Sequence, residues 1–550
     1  MKKVSWLIIG VFILICVVCT VACAHERTDG PPSEKGKLTV SAAELKEKAF
    51  FDLEKHPDLA DNGLFWIGYN NESDRLFRVS SDDVTTVKSY GLSLYDPQKP
   101  TIINVHGIQL DSYYYDKDQY DGSLYGIYNA DADMLDAEAF GYQSDSVNLL
   151  KLFLDNGFNV MTFDYYRFAD EPIGETIPDG EENKGFGVSS NKAIEAKCWS
   201  TAGVQKMRYR KKDGTWSHSY DADGNVVYYN AFVDSSGKLN GTESGAEELP
   251  YCLAEYFAAY WLRALDYYDI TQNEVRFAGH SMGGSCITAT AALLMDLVSE
   301  GEVSNKVLPH RLALEDPFMG VASDVDAMGK TFSNPGLEVH WRGETVYENV
   351  TGKEFYQSVK KLVERHDVAI ECYFSDTAVP QFLGNEYFAR LNKYMSITKY
   401  NITAVSSGRV YNGVRECYLG SVADIAPCTS DKYNDKVIFA SSSIDDIKSA
   451  RGKMFILSDD NGTGKSNDDT YLSGCPVAVV SANGTLGKVF STHPFDVASG
   501  TVITATAKPS SNSITFVGWY DENDNLVSDE LTYTFTAQRQ VIILIAKFSA

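Results

Sequence analysis

One serine stands where serine chemistry is feasible. Arg276-Phe277-Ala278-Gly279-His280-Ser281-Met282-Gly283-Gly284 is entered by the short apolar run that begins at Val275. It is left by Ser285-Cys286-Ile287-Thr288-Ala289-Thr290-Ala291-Ala292-Leu293-Leu294-Met295, a helical run. A Gly-x-Ser-x-Gly pattern between a strand and a helix places its serine on a sharp turn, with the hydroxyl exposed. That turn forces the positions two before and two after the serine together, and Gly279 and Gly283 are the residue type that fits. The helix that follows directs its positive end at the turn, where an attacked carbonyl would gather negative charge. The chemistry expected of Ser281 is nucleophilic attack with formation of an acyl-enzyme.

A nucleophilic serine needs an orienting acid and a base. Two carboxylates compete for the first role. Leu312-Ala313-Leu314-Glu315-Asp316-Pro317 puts Asp316 at the carboxyl end of the strand after the elbow helix. Ile370-Glu371-Cys372-Tyr373-Phe374-Ser375-Asp376 puts Asp376 at the end of the next one. Both lie outside the carboxyl ends of strands, the edge on which α/β sheets bind ligands. The nine histidines are less accommodating. None falls between Ser406 and Asp445, the stretch after the last expected core strand. His310 and His366 precede core strands, on the opposite edge, and His56 precedes the first strands. His218, His340 and His493 remain; His493 keeps the order Ser–Asp–His, and His340 keeps it with Asp316.

The elements that must carry these groups alternate. Pro100 to Gly107 is a buried-type strand, and Val147 to Leu154 has helical spacing with a stop at Asn156-Gly157. Phe158 to Asp164 is again a strand. Strands over 275–279, 311–315, 368–375 and 400–405 alternate with helices over 283–298 and 353–365. The expectation is an α/β fold with a doubly wound, mostly parallel sheet. Between Arg167 and Leu249 the alternation breaks, and turns at Asp213-Gly214 and Asp223-Gly224 predict a hairpin-rich insertion, a candidate lid over the site.

The combination of Val105-His106-Gly107, Phe163-Asp164-Tyr165, Gly279-His280-Ser281-Met282-Gly283-Gly284 and Leu314-Glu315-Asp316-Pro317 resembles the α/β-hydrolases over about residues 95–420. Leu-x-Asp-Pro is similar to the pancreatic-lipase-type branch, which implies Asp316 as the acid; Asp376 fits the commoner arrangement. In the fold so implied, the oxyanion donors are the backbone N–H groups of Met282 and Ile108, with His106 structural. The resemblance implies a lipase- or esterase-like carboxylic ester hydrolase that needs no cofactor. Tyr113, Tyr114, Tyr115, Tyr165, Tyr166 and Phe168 around the expected mouth suggest an apolar or ring-bearing ester. The displaced histidine leaves a second expectation open, a hydrolase-fold surface protein that binds without turnover.

The remaining segments bound the setting. A net charge of −26 opposes nucleic-acid binding and docking on anionic lipid. Met1-Lys2-Lys3 and the apolar run Trp6 to Ala22 form an export signal over 1–23, and 24–38 is a linker. Ala22-Cys23-Ala24 offers a cleavage site, while Thr20-Val21-Ala22-Cys23 resembles a lipobox that would lipidate Cys23 and provide the one membrane attachment. Cys198, Cys252, Cys286, Cys372, Cys417, Cys428 and Cys475 show no zinc spacing; Cys417–Cys428 is the candidate disulfide. Asp116, Asp118 and Asp121 miss calcium-loop spacing, so no metal is expected. The hydrolase domain is placed at 39–455, with the insertion at 167–249, and a linker at 456–474. The small all-β module at 475–550 carries Phe516-Val517-Gly518-Trp519-Tyr520 and Ala546-Lys547-Phe548 and resembles the internalin-B-type bacterial repeat. That resemblance implies an exported Gram-positive surface protein with cell-surface contacts through the module.

Overall fold

The computed structural model describes residues 41–47, 53–54, 56–72, 75–107, 134–135, 147–169, 198, 209, 211, 219–220, 226–227, 252–317, 338–341, 344–347, 351–375, 389–401, 414, 418–423, 439–459, 469–493, 496–538 and 542–550. Its spine is a 14-stranded mixed sheet. In chain order its first half comprises β1 (Gly63–Asn70), β2 (Arg75–Ser80), β3 (Thr101–Val105), β4 (Asn159–Asp164), β5 (Val275–His280), β6 (Arg311–Glu315), β7 (Ala369–Ser375), β8 (Ser396–Asn401) and β9 (Met454–Asp459). They lie side by side as β2-β1-β4-β3-β5-β6-β7-β8-β9. Only β1 runs against the rest, since β2 pairs antiparallel with it in turn; from β4 across to β9 every neighbouring pair is parallel.

That order contains a reversal. From β3 the chain goes to β4 on one side and returns to β5 on the other. Such a reversal is the place where, in open α/β sheets, crossovers diverge and a crevice opens at the carboxyl ends of the strands. Ser281 follows β5 directly, and His106-Gly107 follows β3.

Both faces of the parallel part are covered, so apolar residues stand on both and the polar ones among them are buried. On one face Phe277, Leu312, Leu314, Ile370 and Cys372 pack with α1 (Leu253–Tyr267), α2 (Met282–Ser299) and α3 (Thr351–His366). The helix α3 is amphipathic, burying Phe355, Val359 and Leu362 at helical spacing. By contrast α2 lies between the sheet and its neighbours and is apolar all round. It is long and apolar enough to cross a membrane, but 83% of it is buried in the core. The other face gathers Ala278, Ala313, Tyr373 and Tyr400 against Val414, Tyr418, Leu419, Phe439 and Ile447.

That second face buries charge, and the charges are matched. Arg311 reaches Glu371 through Nε to Oε1 at 2.7 Å and through Nη2 to Oε2 at 2.8 Å. The Tyr373 and Tyr418 hydroxyls also donate to Glu371, at 2.8 and 3.0 Å. Remaining guanidinium protons of Arg311 go to the carbonyls of Ser442 and Phe439. Arg276 donates to Tyr418, the Ala440 carbonyl and Glu274. The network ties the covering segment around 439–442 to β5, β6 and β7.

Beyond β9 the sheet does not end. β10 (Asp469–Ser481) pairs antiparallel with β9 through Gly474, then parallel with the last strand of the chain from Val477. After β10 come β11 (Gly487–Ser491), β12 (Asp496–Ala498), β13 (Val502–Pro509), β14 (Thr515–Tyr520), β15 (Leu526–Ser528), β16 (Thr532–Thr536) and β17 (Ile542–Ser549). The sheet continues β10-β17-β14-β15, and β11-β13-β16 form a second layer on it. Between the layers sit Cys475, Val477, Ile503, Ala505, Trp519 and Leu544.

This corrects two expectations. The stretch taken as a linker, 456–474, includes most of β9 and the first half of β10; its other residues lie outside those described. The last parallel strand is β9; of the strand expected over 400–405, Tyr400 and Asn401 end β8 and the rest lies outside the described residues. The small module is therefore joined by a shared strand. Ala389 packs on Ala478 and Ile543, and Lys393 pairs with Glu522, adding two further ties. In the insertion, Ser219–Tyr220 pairs antiparallel with Val226–Val227 around the expected Asp223-Gly224 turn. Cys417, Cys428, Cys23, His218 and the aspartates between 111 and 133 lie outside the described residues.

Candidate active site

Ser281 has φ 56° and ψ −122°, a conformation that a side chain resists. The surrounding backbone holds it there. Its N–H donates to the Glu315 carbonyl at 2.8 Å, and its own carbonyl accepts from the Gly284 N–H at 3.0 Å. The glycines on either side are required by contact. A Cβ on Gly279 would lie 2.4 Å from the Gly283 carbonyl oxygen, and one on Gly283 would lie 2.3 Å from that of Val105. Met282 opens α2 directly after the serine, so its N–H is among the unpaired donors of a helix N-terminus.

The turn after β3 closes over the serine. A Cβ on Gly107 would come within 2.9 Å of the Ser281 Cβ and 3.3 Å of its Oγ. Ile108, the expected second oxyanion donor, lies just outside the described residues. His106 is nevertheless excluded as the base by its bonds. Its Nε2 accepts from the Tyr165 N–H at 3.0 Å, which leaves the ring proton on Nδ1, facing the Gly107 carbonyl at 2.8 Å. The ring also stacks on Tyr165, with centroids 4.1 Å apart, and the Tyr165 hydroxyl donates to the His106 carbonyl. Both nitrogens are committed to shaping the loop. Cys198, from the insertion, is buried with its Sγ 3.8 Å from the Met282 carbonyl, so the insertion reaches the elbow.

Asp316 follows β6 and is 1% exposed, with φ 43°. Its N–H donates to the Tyr373 carbonyl at 2.7 Å. Because the Ser281 N–H is bonded to Glu315, Asp316 and Ser281 are adjacent corners on the carboxyl edge. Pro317 packs so close to Gly284 that a Cβ there would approach the proline Cβ to 2.8 Å. Asp376, one residue beyond β7, lies outside the described residues.

The histidines separate by edge. The Val275 N–H donates to His310 Nδ1 at 3.0 Å, at the amino end of β5, and partial desolvation pushes the pKa of that ring down. His366 ends α3 just before β7, on the same far edge. His56 is buried against Tyr209, its Nδ1 3.3 Å from the tyrosine hydroxyl. His493 is not brought to Ser281. It stands just after β11 and three residues before β12, which pairs with β10, and β10 is separated from β5 by five strand spacings of about 4.8 Å each. Past Gly474, moreover, β10 runs away from the carboxyl edge. The geometry removes His493 as the base.

His340 belongs to Glu338–Trp341, which pairs antiparallel with Glu344–Tyr347. This hairpin lies between the carboxyl end of β6 and the start of α3, so the chain visits it from the same edge that carries Ser281 and Asp316. The aromatic mouth is reduced: Tyr165, Tyr166 and Phe168 are at most 1% exposed, and Tyr165 and Phe168 belong to the core. Two features escaped the sequence. Gly107 as the residue against Ser281 has no local signal beyond its place after a strand, and β9 was hidden by the turn-rich residues after it. Among the described residues no group of three His, Cys, Asp or Glu side chains is placed to hold a metal. Comparison of the chain with protein-family models and with characterised proteins gave no match.

Proposed function

We propose that the protein is an exported serine hydrolase of the α/β-hydrolase type, acting on a carboxylic ester through an acyl-enzyme on Ser281. The observation that carries this reading is the strained Ser281 backbone, a non-glycine residue at φ 56° on a strand-to-helix turn facing the crevice between β3 and β5. Strain at a carboxyl-edge corner, retained by a serine where glycine would be relaxed, is expected when the side chain itself is needed. Asp316 is the acid in this scheme, held at the neighbouring corner. The base is His340, delivered by the excursion between β6 and α3. Met282 and Ile108 supply the N–H groups for the oxyanion.

Attack by Ser281 Oγ on the ester carbonyl passes its proton to the imidazole, which returns it to the departing alkoxide. Water then enters by the same route and releases the acid. Turnover of a chromogenic short-chain ester by the full chain, lost in Ser281→Ala, tests the reading. The second reading, a hydrolase fold used for binding, is favoured by one observation: the rings of His106 and His310 are bonded to backbone groups rather than to Ser281. It predicts a folded protein with no turnover.

A further inference from the structure

The outer layer of the C-terminal module presents one face to the core and another to solvent. Ile503, Ala505 and Ala507 of β13 point inward, with Val489 of β11 and Tyr533 and Phe535 of β16 packed against the same interior. Alternation then fixes the outward set. In register across the three strands it contains Lys488 opposite Lys508, Phe490 opposite Thr506, Thr506 opposite Thr532, Thr504 opposite Thr534, and Val502 opposite Thr536. Phe490 is 53% exposed and Val502 59%.

Two features set this face apart. Like charges placed directly opposite on neighbouring strands repel and cost stability, yet Lys488 and Lys508 occupy such a pair. No carboxylate occupies an outward position on the three strands, although the chain carries a net charge of −26. Within these strands both outward charges are positive, and Glu530, just before β16, adjoins Lys508 at the edge. Phe490 lies one outward position from Lys488 and cross-strand from Thr506, the residue next to Lys508 on that face, so an exposed ring sits beside the lysine pair. Threonine hydroxyls continue along the sheet, with Thr504 and Thr534 hydrogen-bonded at 3.0 Å.

We propose that this face binds an acidic polysaccharide. The aromatic ring offers an apolar platform for a sugar ring, the paired lysines take its carboxylate or phosphate, and the threonines match its hydroxyls. Charge complementarity favours this occupant, because the outward charges of these three strands are both positive in a chain whose net charge is −26. The strand shared by β9 and the module would hold a bound polymer in a fixed orientation to the hydrolase sheet.

The test is affinity electrophoresis of the full chain in gels containing polygalacturonate, with neutral dextran as the control. Retardation by polygalacturonate and not by dextran is expected, with at least tenfold weaker binding in K488Q/K508Q and weaker binding in Phe490→Ala. Thermal melting of each variant at the parent temperature shows that the fold is intact. Unchanged mobility of the parent, equal retardation of the double variant, or co-sedimentation with phosphatidylglycerol vesicles without polysaccharide binding would each overturn the proposal.

Discussion

The main-chain N–H of Ser281 donates to the carbonyl of Glu315 at 2.8 Å, joining the turn after β5 to the end of β6. The residue after Glu315 is Asp316, so this bond sets the Ser281 corner beside the Asp316 corner. Both corners have positive φ, 56° and 43°. The helix cannot satisfy the Ser281 N–H, since it begins one residue later, and the neighbouring strand supplies the acceptor instead.

The strain at Ser281 has a measurable sign. Glycine tolerates this backbone region, whereas alanine suffers the same Cβ conflict as serine. Ser281→Gly is expected to be more stable than Ser281→Ala by about 1 kcal/mol, read from chemical denaturation, while both lack ester turnover. Equal stability of the two would remove the claim of strain.

Gly107 is the closest test of the approach between the β3 turn and the nucleophile. An added methyl would press on the Ser281 Cβ at 2.9 Å and on backbone behind it. Gly107→Ala is expected to lower kcat/KM about tenfold or more through misplacement of the hydroxyl. A variant with parental kinetics would show that the contact is relieved without cost.

The buried Arg311–Glu371 pair should behave as a unit. Arg311→Met strands a carboxylate that then has only the two tyrosine hydroxyls, and is expected to cost about 3–5 kcal/mol. Adding Glu371→Leu should recover a large part of that loss, since the apolar pair leaves no buried charge. Additive losses in the double variant would mean that the two groups act independently.

His340 carries the role of base in the proposed scheme. Substitution by alanine is expected to reduce turnover on the order of 10³-fold with stability retained, and His493→Ala should leave turnover unchanged. The reverse pattern would require a different placement of the C-terminal module.

Local chemistry made the elbow and the parallel strands legible. Gly279 and Gly283 announce a turn that only they can make, and the runs at 102–105, 277–280 and 312–315 are largely apolar because helices and loops cover both sides, with Asn104, His280 and Glu315 as buried exceptions. The join to the module was illegible for an equally local reason. Ser473-Gly474-Cys475-Pro476 has the punctuation of a linker, but it is where one strand changes partners. A Cβ on Gly474 would meet the Met454 side chain, 2.7 Å from its Cγ, and Pro476 has no N–H to continue a ladder. A base is not legible in the same way, since no residue pattern states whether an excursion returns a histidine to the carboxyl edge.

The central claim is that Ser281 is an activated nucleophile, and covalent labelling with a fluorophosphonate measures that directly. The account predicts one adduct per chain, mapped by peptide mass spectrometry to the peptide containing Ser281, and none in Ser281→Ala. A folded parent chain that takes no label, or a label that persists in Ser281→Ala, would contradict it.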